Sequence, residues 1–390
     1  MSYSRREFGK LALAGLPAAA VLGRAHSLFG AFAQAKPNSL VNGVQIGTIT
    51  YSFRAMPDQS AEATLKYILE SGISAVELMG SPAESFAGAP TSGRGGGPGG
   101  PGGGRGPGGP GGPGGRAEAP PPIPAGAKTG SWNGVTCVIE DEGARGGGRG
   151  RGNPPEMTPE QQAARAAQQA AQQEAAAKLK AWRTSVSMDP FKKLRKMYND
   201  AGVSIYATKL LGANMSDEEF EYVFNMAEAL GATHTTLELP AGPEAEKQLK
   251  RIGDFAMKKK IYAAYHTHAQ GSMTAFDQAF AISKGNMANV DLGHWTAGGN
   301  KGGSPMDFLN KYHDRTSSFH IKDRTTPEHC ALNLAWGTGE TPLKEILQLV
   351  KKNRWKIPAS VEMEYDVPEG SDPVKEVRKC VEYCRAALST

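Results

Sequence analysis

Eight short β-rich runs recur along this chain with helical stretches between them, and that alternation points to a parallel sheet built from βα units. The runs are Gln45–Phe53, Ala75–Met79, Ser204–Leu210, Thr233–Leu239, Ile261–His268, Asn289–Trp295, Ser317–Asp323 and Ala359–Tyr365. Parallel neighbours cannot be joined by a tight turn, so each step needs a crossover, and a helix supplies it. Ala61–Ser71 has Ala61, Leu65, Ile68 and Leu69 on one helical face, and Pro190–Ala201 repeats the pattern with Phe191, Leu194, Met197 and Tyr198. Asp217–Leu230 follows a Ser216 cap, and Pro342–Lys351 and Pro373–Leu388 complete the assigned helices. Gly72, Gly202 and Gly231 are read as the helix stops before the next strand. Eight such units close into an α/β fold, the (β/α)8 TIM barrel, whose chemistry sits at the C-terminal ends of the strands.

Two segments stand outside that pattern. Residues 1–35 carry Arg5-Arg6, then Phe8 and Lys10, an apolar stretch from Leu11 to Leu22, and Ala33-Gln34-Ala35 as a cleavage signal. This is the layout of an export leader, and the paired arginines resemble the twin-arginine signal. The expected location is therefore periplasmic or otherwise exported. Residues 88–160 form the second segment, an insert in the loop after strand two. Within Ser92–Arg116, sixteen of 25 residues are Gly and five are Pro. Such a run has almost nothing to bury, so it is expected to be disordered. A brief strand-like patch lies at Trp132–Glu140. The barrel thus starts at 36–87 and resumes at 161–390.

The leader and insert together carry four of the five net positive charges. The remainder is near neutral, so the basic pI of about 8.8 is no nucleic-acid signal. No nucleic acid is expected as partner, the mature chain is expected to lack a membrane span, and a homo-oligomer stays open. Four Cys in 390 residues exclude a disulfide scaffold. Cys380 and Cys384, four apart on the last helix, read as small buried residues, and no C-x-x-C zinc signature occurs.

The strand ends carry Glu77, Glu238, His266, His268, Asp291, His294, His320, Lys322, Asp323, Glu362 and Glu364. Residues two apart on a strand point the same way, which pairs His266 with His268, His320 with Lys322 and Glu362 with Glu364. Mixed imidazole and carboxylate donors suit one divalent ion such as Mn, Mg, Zn or Co. His234, His313 and His329 read as packing or surface residues.

Asp291-Leu-Gly-His294-Trp, followed by Ser318-Phe-His320-Ile-Lys322-Asp323-Arg324 and Gly337-Thr-Gly339-Glu340, resembles the xylose isomerase-like TIM-barrel superfamily. The likeness is to its sugar phosphate isomerase/epimerase group, with keto-sugar 3-epimerases and inosose dehydratases. Tyr265-His266-Thr267-His268 and Trp182-Arg183 are similar to the inosose dehydratase-like branch. The resemblance implies a metal held by Asp291, His320 and one of Glu362 and Glu364, with Glu364 preferred as nearer the strand's C-terminal end. His266 stands where the epimerases have a metal-binding Glu that also moves a proton, so His266 or Glu238 is the implied fourth ligand. Another base is then needed. The catalytic candidates are Glu238, His268 and Glu364, and the substrate-binding candidates are His294, Lys322, Arg324 and Trp295. The implied activity is a divalent-metal-dependent isomerase or epimerase acting on a keto sugar or polyol through an enediolate. The alternatives are a dehydratase or lyase on a keto-inositol or 3-keto-glycoside, and an exported barrel without catalysis.

Overall fold

All eight runs contribute a strand to one closed sheet. In a computed structural model, the described residues are 36–90, 127–139 and 157–390. The strands are β1 (Val44–Ile49), β2 (Ala75–Met79), β3 (Ser204–Lys209), β4 (His234–Glu238), β5 (Tyr262–His266), β6 (Asn286–Asp291), β7 (Thr316–Ile321) and β8 (Ala359–Val361). Each pairs in parallel with the next, and β8 pairs with β1 to close the barrel. A two-residue strand, Leu40–Val41, folds back antiparallel on β1. The (β/α)8 barrel expected from the alternation is the fold observed.

Around it run α1 (Ala61–Glu70), α2 (Gly80–Phe86), α3 (Pro159–Arg183), α4 (Asp189–Asp200), α5 (Asp217–Leu230), α6 (Ala245–Lys259), α7 (Asp277–Ile282), α8 (Leu292–Ala297), α9 (Pro305–Tyr312), α10 (Leu343–Asn353) and α11 (Pro373–Ser389). Phe191, Leu194 and Tyr198 of α4 are fully buried, as their spacing requires. Cys380 and Cys384 are buried thiols. Gly72, Gly202 and Gly231 all have positive φ, at 77°, 87° and 81°, the backbone that ends a helix without strain in a residue lacking Cβ.

Three strands differ from the sequence reading by three residues or more at an end. Strand one ends at Ile49 and turns into a 3-10 segment, Thr50–Phe53. Strand eight stops at Val361. Strand six lies three residues earlier than expected, because Leu292–Ala297 is a short helix. Its apolar residues read as strand, but the Asp291 side chain caps it by accepting the His294 backbone N–H at 2.7 Å.

The expected leader (1–35) and the Gly/Pro/Arg runs at 91–126 and 140–156 lie outside the described residues. Within 88–160, two described parts depart from expectation. Thr129–Trp132 and Val135–Val138 form a hairpin around Asn133-Gly134, whose φ values of 44° and 83° are those of a tight hairpin turn. It packs against the loop after β7. Trp132 meets His329 at 4.9 Å between ring centroids, and Cys137 is disulfide-bonded to Cys330. A Cβ on Gly130 would stand 2.3 Å from the Glu328 carbonyl oxygen, so only glycine allows this approach. Secondly, α3 starts at Pro159 behind a Thr158–Gln161 capping box and buries no residue along its length. Its last residue, Arg183, anchors it through a two-pronged bond to Glu84 (2.7 and 3.1 Å) and a contact to Glu219 at 3.3 Å.

Candidate metal centre and active site

Inside the barrel, the parity of each strand decides which side chains meet. The register pairs Glu238 with His266, His266 with Asn289, and Asp291 with His320. His266, Asp291, His320 and Glu362, all buried, then offer ligand atoms lying within 4.8 Å of one another. Beside them Glu238, His266 and His268 form a second group of the same compactness, so His266 belongs to both.

Glu77 on β2 organises the floor. It is fully buried, accepts from Thr236 Oγ1 at 2.6 Å and lies 2.8 Å from His320 Nε2. The other ring nitrogen, His320 Nδ1, is 2.9 Å from Glu362 Oε2. His266 Nδ1 bonds Asn289 Oδ1 at 3.1 Å, which turns the ring and leaves its Nε2 for the cluster. Lys322, 2% exposed, places its ammonium among Asp291, Glu362 and Glu364, at 3.0, 2.8 and 2.5 Å.

These contacts divide the imidazoles electrostatically. Burial opposes a charged His320, but Glu77 and Glu362 outweigh it and push its pKa up to about 10. Burial, reinforced by Lys209 and His320, holds His266 well below the ordinary imidazole value. Burial, with Lys322 and Arg324, does the same to His294. Burial would raise Glu362, yet Lys322 and His320 carry it well below the usual carboxylate range. Burial raises Asp291 despite Lys322.

The donor set fits a divalent ion. It offers two imidazoles and two carboxylates, the mixture expected of Mn, Zn or Co sites, and His320 would join once an ion displaced one of the two ring protons it shares with Glu77 and Glu362. Asp291 supplies a further sign. Its Oδ1 is taken by the α8 cap, while buried Oδ2, though 3.0 Å from the Lys322 ammonium, receives no aligned hydrogen bond. A buried carboxylate oxygen without a directed donor is an open coordination position.

The profile of the xylose isomerase-like TIM-barrel family matches residues 160–386, more than half of the chain. The chain belongs to this family. Among solved structures, a xylose isomerase domain protein from Alicyclobacillus acidocaldarius superposes with a TM-score of 0.52 at 12% identity, covering 89% of this chain and 100% of that one. The probable 3-DHS dehydratase AsbF from Bacillus anthracis, involved in petrobactin synthesis, gives 0.50 at 11% identity and covers 87% and 98%. A sugar phosphate isomerase/epimerase from Parabacteroides distasonis gives 0.48 at 14% identity and covers 89% and 96%. At such identities the likeness is one of fold. No curated protein matches the chain.

For a member of this family, the residues singled out in the sequence fall in three places. His266, Asp291 and His320 come together, their ligand atoms within 4.8 Å of one another. The carboxylate that joins them is Glu362, the first residue past β8, whereas Glu364 lies two residues further out on Lys322 and 3.8 Å from His294 Nε2. The resemblance favours Glu364 as a ligand for its position nearer the strand end, but both glutamates lie beyond β8, and it is Glu362 whose carboxylate comes to His320 Nδ1, at 2.9 Å. On the rim, Glu238 is 44% exposed, takes the Lys209 ammonium at 3.0 Å and stands 3.3 Å from His268 Nδ1. His294 Nδ1 meets Arg324 Nη1 at 2.5 Å, and Arg324 also donates to the Ala331 carbonyl. Trp295 is the exception. It is fully buried against Phe308 and its indole N–H donates to the Gly303 carbonyl at 2.9 Å, so it packs the outer layer and cannot touch a substrate.

Glu77, Lys209 and Asn289 are the site residues the sequence reading did not assign. Their signal was parity: Glu77 and Asn289 sit on strands at inward positions, where a buried acid or amide requires a partner. Asp323, by contrast, is architectural. Its carboxylate accepts backbone N–H groups from Gly337, Thr338, Gly339 and Thr341, which fixes the Gly337–Glu340 segment.

Proposed function

We propose that this chain is a divalent-metal-dependent enzyme of carbohydrate chemistry, moving a proton at a carbon next to a carbonyl in a keto sugar or polyol. The observation that carries the reading is the junction at His266, where a compact four-ligand cluster adjoins a Glu238–His268 pair at the mouth of the barrel. His266, Asp291, His320 and Glu362 would hold the ion. When bound, it supplies Lewis-acid stabilisation for the negative charge that grows on a substrate oxygen. Glu238 serves as the base. Lys209 orients it through Oε1, which leaves Oε2 beside His268 and the cleft. His268 is placed to take part in the return of a proton. Arg324 and His294 meet beside this pair and face the substrate's oxygens, while Lys322 stays buried among Asp291, Glu362 and Glu364.

The same pair supports a second reading, elimination, in which His268 protonates a departing β-oxygen. Export is part of the proposal. The leader-like residues 1–35 motivate it, and a disulfide between Cys137 and Cys330 favours an oxidising compartment.

The test is a panel of keto sugars incubated in D2O with Mn2+ and followed by NMR. Wild-type protein should place deuterium on the carbon beside the carbonyl, and a chelator should stop it. Glu238→Gln should keep its metal and lose the exchange. A new double bond in the product selects elimination. Wild-type exchange in Glu238→Gln removes Glu238 as the base, and chelator-resistant exchange removes the metal.

A further inference from the structure

Lys322 brings a positive charge into the place where a metal ion would bring two. Its ammonium lies 3.0 Å from Asp291 Oδ2 and 2.8 Å from Glu362 Oε2, on both carboxylates of the four-ligand cluster. Its third partner, Glu364 Oε2 at 2.5 Å, belongs to a residue outside that cluster. The lysine stem reaches this position because residue 293 is glycine; a Cβ there would stand 2.3 Å from Lys322 Cγ. An ammonium and a divalent ion against the same two carboxylates repel each other, with little water between to screen them.

We propose that Lys322 is a built-in counter-cation of the carboxylate cradle, which withdraws onto Glu364 when a divalent ion enters and thereby sets the affinity for that ion. The proposal rests on the metal reading above. Glu364 is then a holding station for the lysine and not a ligand. Removing the ammonium tightens ion binding. Removing Glu364 weakens it, but only while the ammonium is present.

A double-mutant cycle reads this directly. Free Mn2+ is followed by electron paramagnetic resonance in titrations of chelator-stripped full-length wild type, Lys322→Met, Glu364→Gln and the double variant. Lys322→Gln, which keeps a hydrogen-bond donor, stands in if the methionine variant fails to fold. Loss of the ammonium should tighten Mn2+ binding by about tenfold or more, the scale of a like-charge contact in a poorly hydrated site. Glu364→Gln should weaken binding in the wild-type background and change nothing in the lysine-free one. Equal or weaker affinity in both lysine variants overturns the proposal. A Glu364→Gln loss that persists without the lysine makes Glu364 a ligand and also overturns it. If neither wild type nor the lysine variants take up Mn2+ at millimolar concentration, the metal reading itself falls.

Discussion

His320 sits between two carboxylates, Glu77 at 2.8 Å and Glu362 at 2.9 Å, and the metal-free protein should betray this in its response to pH. Its folded pKa of about 10 lies above the ordinary imidazole value of 6.5. The stability it contributes is therefore complete below pH 6.5 and is lost as pH rises towards 10. His234, lowered to about 4 by burial, and His266 and His294, held well below the ordinary imidazole value by burial, act the other way. Their contribution is present above pH 6.5 and is lost as pH falls below it. Thermal unfolding of the chelated protein should thus show greatest stability near neutral pH. In His320→Gln the alkaline decline should shrink while the acid decline remains. An alkaline limb identical to wild type would mean that His320 is not held charged. His266, Asp291 and His320 were legible at this scale because imidazole and carboxylate at strand ends are costly unless they do something. The choice between Glu362 and Glu364 was not. Both share one parity, and only the folded geometry brings the Glu362 carboxylate to His320 Nδ1 and leaves Glu364 on Lys322.

Among the elements, the hairpin at 129–138 is the one that sequence patterns served least well. Trp132–Glu140 looked strand-like, yet its glycine-rich surroundings suggested nothing for it to pack on. Its partner is a loop across the chain, 193 residues from Cys137 at Cys330, and no spacing rule predicts such a pairing. The helices were easier. Those with a one-sided apolar face, such as α4, show in their periodicity, whereas α3 buries nothing and has only its cap to mark it. The disulfide should matter to stability, because closing so long a loop restricts the unfolded chain. Replacing Cys137 and Cys330 together by Ser should cost about 2–5 kcal/mol. Calorimetry should show the same loss in reduced wild type, since Cys380 and Cys384 are already free thiols. A melting temperature equal to wild type would mean that the hairpin merely rests on the barrel. The same loop holds Arg324 through Ala331, the residue after Cys330, so this clamp also steadies one wall of the mouth.

On the scale of the whole molecule, the barrel closes around polar rather than purely aliphatic contents. Ser318 joins His234 and Asn289, at 2.8 and 2.7 Å, and Asn289 reaches Glu77 and His266. Five strands, with Glu362 just past a sixth, contribute to this one network, so closure of the sheet and assembly of the site are the same event. A buried network of this kind is worth having only when its members are satisfied, and beside it Asp291, a member of the four-ligand cluster, keeps Oδ2 without an aligned hydrogen bond, 3.0 Å from the Lys322 ammonium. The account therefore stands or falls on one divalent ion at that place. The most direct measurement is elemental analysis by inductively coupled plasma mass spectrometry of the purified protein, after loading with excess Mn2+ and removal of unbound metal. Wild type should carry one ion per chain, and Asp291→Ala, His320→Ala and Glu362→Ala, each checked for folding by circular dichroism, should carry almost none. A full complement of metal in all three folded variants would contradict the site.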